Sequence, residues 1–224
     1  MPELFQLLAD TPVFSSLPKK ELQNLASFAV PRKLQPGEFL CHQGDIWPNL
    51  LYLLEGELRW AILSVSGREQ VLFLIQSGKT FWGHSIFDGS PMPASLSALK
   101  ASSVYIWTKQ VILPILDRHP QAHWEINRML VATMRQAREI IYGLAFKPVA
   151  SRLAALLLDR TSGQMNQPVH RDLTLSEIAS MVASSQEVVC RLLYQFRSEG
   201  IIEIDRASIT IQNAEALENL INAG

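Results

Sequence analysis

Hydrophobic and polar positions change their rhythm along the chain, and each change predicts a different kind of element. Residues 3–9 and 18–28 read as short helices: Leu22, Leu25 and Ala26 recur at helical spacing, and Pro18 suits a first helical turn. From Val30 to about Lys109 the pattern shortens. Apolar stretches alternate with the turn signals Pro36-Gly37, Gly44-Asp45, Glu55-Gly56, Ser66-Gly67, Ser77-Gly78 and Asp88-Gly89, about ten or eleven residues apart. That spacing predicts an antiparallel sandwich or barrel of short strands. Leu50-Leu51-Tyr52-Leu53-Leu54 and Val71-Leu72-Phe73-Leu74-Ile75 are continuous apolar runs and are expected as buried strands.

A long helix is predicted from about Gln121 to Phe146. Its residues Leu130, Met134, Ala137, Ile141 and Leu144 step by 4, 3, 4 and 3, and Asn127 and His123 continue the series backwards. A seam of that period is what two helices need to pack lengthwise, so it predicts a homodimer, with polar Asn127 able to fix the register. Ile126, Met129, Val131 and Ile140 are left to pack on the chain's own β-domain. Lys147-Pro148 breaks the helix, and a further helix carrying Leu153, Ala154, Leu156, Leu157 and Leu158 follows and ends before Ser162-Gly163. The expected division is 1–118 (β-domain with N-terminal helices), 119–146 (dimerisation helix) and 147–224 (C-terminal domain).

The stretch from Leu173 to Ile211 carries the most chemistry. Thr174 with Glu177 three residues on is a capping box that starts a helix. Ile178, Ala179, Met181 and Val182 give that helix a buried face, Ala183-Ser184 a tight turn, and Ser185 the cap of a second helix running to about Ser198. Val189, Leu192, Leu193 and Phe196 share one face of the second helix. Gln186, Glu187, Cys190, Arg191 and Tyr194 share the other. Gly200 ends it, and Ile201–Ile204 and Ser208–Ile211 flank Asp205-Arg206-Ala207 as a hairpin wing. Two short helices with a small-residue turn, the second with a polar outer face, form the helix-turn-helix pattern. Arg191 can donate two hydrogen bonds to a guanine edge, and Glu187 can accept from a cytosine amino group. One turn apart, the two can also pair with each other.

Composition narrows the picture. With 48% hydrophobic and 18% charged residues the chain is globular. No apolar run approaches the roughly 18 residues of a membrane span, and Met-Pro-Glu-Leu-Phe lacks a basic secretory n-region. A cytoplasmic protein is expected. Cys41 and Cys190 show no metal-type spacing, and neither do the histidines. The formal net charge is -1, and residues 147–224 hold seven Lys+Arg against nine Asp+Glu. DNA contact therefore depends on a few placed cations rather than on a general positive field. No nucleophile–base pair, phosphate loop or paired carboxylates point to an enzyme.

This order of elements resembles the CRP/FNR family of bacterial regulators, which includes the catabolite activator and the fumarate-nitrate regulator. The resemblance is carried by Leu34-Gln35-Pro36-Gly37-Glu38, Gln43-Gly44-Asp45, Leu54-Glu55-Gly56-Glu57-Leu58, and Leu173-Thr174 through Gly200-Ile201-Ile202. Ser185-Gln186-Glu187-Val188-Val189-Cys190-Arg191 fits the family's Glu followed four residues later by Arg, with Cys190 where Ser or Gly is usual and Gln186 where many members have Arg. The resemblance implies an α+β fold: an N-terminal antiparallel β-roll of the cyclic-nucleotide-binding jelly-roll type, a long dimerisation helix and a C-terminal winged helix-turn-helix. It also implies palindromic double-stranded DNA and RNA polymerase as partners, and Thr174, Ser185, Gln186, Glu187, Cys190 and Arg191 as DNA-binding residues. The family's effector segment corresponds here to Phe81-Trp82-Gly83-His84-Ser85 through Met92-Pro93-Ala94-Ser95, which marks Gly83, His84, Ser85 and Ser95 as an effector pocket. Its Glu is replaced by His84 and no Arg lies between Lys79 and Lys100, so the usual cyclic-AMP mode loses its phosphate contact. Two cysteines cannot supply an iron–sulfur cluster with four thiolates. Haem on His84 remains an alternative, since the family's carbon-monoxide sensor places its haem histidine there and begins with a proline amine like that of Met1-Pro2. The other alternative is a ligand-binding module whose winged helix contacts protein.

Overall fold

In the computed structural model, which describes residues 4–161, 163–205 and 207–222, the regular turn signals close the N-terminal half into two antiparallel sheets. Met1-Pro2-Glu3, Ser162 and Arg206, named above, lie outside the described residues. Helices α1 (Leu4–Ala9) and α2 (Lys19–Ser27) precede β1 (Val30–Leu34), β2 (Phe39–Cys41), β3 (Asn49–Glu55), β4 (Glu57–Leu63), β5 (Glu69–Gln76), β6 (Thr80–Trp82), β7 (Ser95–Ala98) and β8 (Ser102–Thr108). One four-stranded sheet has the order β1-β8-β3-β6 and the other β2-β7-β4-β5. Gly37, Gly44, Gly56, Gly67, Gly78 and Gly89, all in the predicted turns, take φ between 69° and 99°. At Gly56 the constraint is also steric, because a Cβ would lie 2.2 Å from Ser102 Oγ.

The strand period of two puts both faces of β3 to use. Leu51 and Leu53 point between the sheets with Leu34, Leu58, Trp60, Leu96 and Val104. Leu50 and Tyr52 point the other way, toward Leu8, Phe14, Leu25, Trp82 and Trp107. Each such side chain gains about 1.5–3 kcal/mol on full burial, so a strand buried on both faces anchors the roll. Trp107 adds a donor to that packing: its indole N–H donates to Leu25 O at 2.7 Å. The second run expected to be buried is only half so. Val71 and Ile75 are buried, whereas Leu72, Phe73 and Leu74 stay partly open.

Beyond the roll, α3 (Lys109–Arg118), which the sequence reading did not anticipate, leads into α4 (Pro120–Phe146). Ala122 and Ile126 of α4 are buried in the β-roll core, and Met129 packs against it. Val131, expected in that contact, is 48% exposed, because it lies around the helix from this stripe. The chain forms two compact units, Met1–Ser64 with Leu72–Gln136, and Val65–Val71 with Ala137–Gly224. The division falls inside α4, whereas the sequence reading set the helix apart as its own segment.

In the second unit α5 (Val149–Arg160) follows Pro148 and precedes β9 (Val169–His170), α6 (Leu175–Met181), α7 (Gln186–Ser198), β10 (Ile202–Ile204), β11 (Ser208–Ile211) and α8 (Ala214–Asn222). Helix α8 packs on α5. The wing strands β10 and β11 are joined by β9 on the far side of β11. Asp205 holds the wing turn: its Oδ1 accepts from Ala207 N at 2.7 Å and Ser208 N at 2.6 Å. Those hydrogen bonds favour the ionised carboxylate and lower its pKa.

Candidate nucleic-acid interface and effector cavity

The helix-turn-helix is built by local hydrogen bonds. Thr174 Oγ1 accepts from Glu177 N at 3.2 Å, and Glu177 Oε2 accepts from Thr174 N at 2.7 Å, the reciprocal pair of a capping box. Ala183 bends the chain at φ 51°, and Ser184 N returns to Ala179 O at 2.9 Å. Ser185 Oγ then accepts from Val188 N at 3.3 Å and caps α7. The far end closes as a Schellman motif, with Gly200 N bonded to Arg197 O and Ile201 N to Phe196 O.

These caps fix which side of α7 faces out. Val189, Leu193 and Phe196 are at most 3% exposed. Gln186, Glu187, Arg191 and Tyr194 are exposed on the opposite side. Among the described residues neither Glu187 nor Arg191 has a side-chain hydrogen bond or ion pair, so the two do not pair with each other. Glu187 in the first turn and Arg197 in the last complement the helix dipole. Cys190 departs from the expected open face and Leu192 from the expected buried one, since both are half-buried. Cys190 lines a cleft of about 310 Å³ with Arg171, Tyr194, Arg197 and Asp205, which brings two further cations beside the recognition helix. Arg171 comes to the cleft from the end of β9, whereas Arg197 belongs to the last turn of α7.

A second feature lies in the β-roll unit, where α4 crosses the sheet. A cavity of about 400 Å³ is lined by Trp60, Phe73, Phe81, Trp82, His84 and Phe87, together with Lys79, Thr80, Met129, Leu130, Thr133 and Gln136. Trp60 organises it. Its ring stacks on Phe73 (5.7 Å between centroids, 11°) and on His84 (5.1 Å, 19°), and meets Phe81 edge-on (5.8 Å, 62°). The indole N–H groups of Trp60 and Trp82 are buried without a hydrogen-bond partner among the described residues. Lys79 and His84 stand exposed. Partial desolvation lowers the His84 pKa from its ordinary 6.5, and the Asp88 carboxylate opposes the shift.

Of the four residues expected to form the effector pocket, only His84 lines this cavity. Gly83 serves the backbone instead: its N–H donates to Asn49 O, and a Cβ there would lie 2.2 Å from Trp47 O. Ser85, 1% exposed, donates to Ser90 O and accepts from Trp47 N, while Ser95 Oγ accepts from Gln43 N. The hydroxyls are committed to loop geometry. The residues fit a haem poorly, because the His84 ring lies flat on Trp60 and Lys79 is the one fixed charge lining the cavity, against the two propionates a haem carries. No cluster of three or more potential ligands for a metal ion occurs among the described residues. Cys41 is buried, with its pKa raised to about 11 by desolvation. Trp60, Phe73, Trp82, Lys79 and Gln136 escape sequence reasoning because no local spacing links them.

Comparison with known proteins agrees with this architecture. The model of the cyclic nucleotide-binding domain matches residues 31–119, and that of the Crp-like helix-turn-helix domain matches residues 151–220. The cyclic AMP receptor protein of Thermus thermophilus is 24% identical over 94% of this chain and 96% of its own. The fumarate and nitrate reduction regulatory protein of Vibrio cholerae is 24% identical over 91% of this chain and 84% of its own. Among solved structures, a transcriptional regulator of the crp/fnr family from Eubacterium rectale superposes with a TM-score of 0.78 at 23% identity, covering 94% of this chain and 98% of that one. No helix among the described residues is long and apolar enough to cross a membrane. A β-roll and a capped helix-turn-helix, each matched by its own family model and joined in this order by a long helix, place the chain in the CRP/FNR family of DNA-binding transcription regulators.

Proposed function

We propose that the protein is a cytoplasmic homodimer that reads palindromic double-stranded DNA with the Gln186/Glu187/Arg191 side of α7, and that the cavity beside α4 takes its effector. The observation carrying this reading is the exposed polar face of α7, with Glu187 and Arg191 uncommitted and Val189, Leu193 and Phe196 buried on the opposite side. A free guanidinium on a capped, rigid helix can meet a guanine edge without first breaking an ion pair. The dimer rests on α4, where Asn127, Leu130, Met134, Ile141 and Leu144 are exposed in the single chain and Ala137 is half-exposed. Two copies joined along that seam would hold two recognition helices about one DNA turn apart. Leu130 belongs to both the seam and the cavity lining, so a ligand in the cavity touches the dimer contact directly. RNA polymerase is the downstream partner in this reading.

A relative carrying the name of a cyclic AMP receptor suggests the same ligand here. The lining argues against it, since no arginine is among the cavity residues. The test of the DNA reading is a mobility-shift assay on a site selected from random duplex. Arg191→Ala should weaken binding by about 1–3 kcal/mol, roughly 5- to 150-fold, and relax preference at one base pair of each half-site. Equal binding by wild type and variant sinks the assignment of Arg191. Failure of the wild type to retain any duplex favours the protein-contacting alternative, which the acidic balance of residues 147–224 supports.

A further inference from the structure

The β-roll cavity has a chemistry of its own, and it differs from that of a phosphate site. At about 400 Å³ it sits near the lower end of the range for small-molecule sites, about 300–1,000 Å³, which limits its occupant to a compact molecule. Five aromatic side chains line it: Trp60, Phe73, Phe81, Trp82 and Phe87. Aromatic faces gain from offset stacking as well as from area, so they favour a flat unsaturated guest over a flexible chain of equal size. Its polar groups are one cation, Lys79, with Thr80, His84, Thr133 and Gln136. Lys79 stands exposed, and among the described residues it has no carboxylate partner. No carboxylate lines the cavity, so nothing there would favour a cation over an anion.

Resting on the reading that this cavity is the effector site, we infer that its ligand is a small planar aromatic acid, with the ring system among the aromatic side chains of the lining and the carboxylate toward Lys79. The exposed cation lets the charged end stay at the solvent edge while the apolar body is desolvated. This arrangement avoids the cost of burying an ion.

The test uses the full chain, isothermal titration calorimetry and four probes: 2-naphthoate, 2-naphthalenemethanol as its uncharged counterpart, octanoate as an acid without a ring, and cyclic AMP. The expected result is one 2-naphthoate bound per chain. The alcohol and octanoate should each bind at least tenfold more weakly, and Lys79→Met should lose about tenfold for the acid and little for the alcohol. Gln136→Leu, on the α4 side, serves as a second variant and should weaken binding less than Lys79→Met. The ligand class is overturned if 2-naphthoate does not bind at millimolar concentration, if octanoate binds equally well, if Lys79→Met changes nothing, or if the purified protein shows a Soret band. Mobility shift with and without each probe separates this inference from the one beneath it. Binding of 2-naphthoate with no change in DNA affinity keeps the ligand class and removes the effector role. A change in DNA affinity with cyclic AMP alone keeps an effector role and removes the aromatic acid.

Discussion

Helices α4 and α7 are both amphipathic, and each has buried residues on one side, yet their outer faces differ in kind. The outer side of α7 carries Gln186, Glu187, Arg191 and Tyr194. That of α4 carries Leu130 at 44% exposure, Met134 at 72%, Ile141 at 65% and Leu144 at 42%. A polar outer face can remain in water until a hydrogen-bonding partner arrives. An apolar one of several turns gains by being covered, and isolated soluble chains rarely leave such a patch open. The contrast teaches that the inner face of a helix tells how the chain folds, while its outer face tells what the folded chain meets.

The sharpest way to break the comparison is to make the outer face of α4 resemble that of α7. Met134→Asp would bury an unpaired carboxylate in each copy of the seam. At about 3–5 kcal/mol per uncompensated charge, the dimer dissociation constant should rise by more than about 100-fold. Sedimentation velocity reads this directly, and a variant that stays dimeric at nanomolar concentration removes α4 as the interface. A smaller change sharpens the other side. Thr174→Ala removes the capping box ahead of α6 and should cost about 0.5–2 kcal/mol in the denaturant unfolding of the winged-helix unit, with Thr174→Ser restoring most of it. An unchanged midpoint would mean that packing alone sets the start of α6. The smallest effect concerns pH. The folded pKa of His84 lies below its ordinary 6.5 because partial desolvation disfavours the charged ring. The unfolded chain then binds the proton first, so β-roll stability is full above that value and declines as pH falls through and below it. Thermal melts from pH 8 to 5 should show His84→Gln losing less than wild type. Parallel curves would show that His84 does not contribute.

Much of this contrast was legible in the sequence. Periods of two and of three or four residues are local properties, and turn glycines and capping pairs act over three or four residues. The six glycine turns, the Thr174/Glu177 and Ser185 caps and the α7 faces could therefore be read from spacing. Illegible features came from contacts distant in sequence. Trp60 meets Phe73, Phe81 and His84, which lie on other elements, and α4 completes the cavity with Met129, Thr133 and Gln136. The family correspondence pointed instead to Gly83, Ser85 and Ser95, whose groups are taken up by backbone and loop contacts. Val131 was misplaced for a related reason. Helical spacing shows that stripes exist, but not which of two adjacent stripes the sheet will cover.

The sequence by itself determined the glycine turns, the helix caps, the polar side of the recognition helix and the apolar seam, because each follows from residues within a turn or two of one another. Only the tertiary structure decided which stripe of α4 the β-roll covers, which rings gather around Trp60 and which polar groups are left with no partner. Those outcomes depend on how distant side chains share a limited volume, and no local rule contains that information.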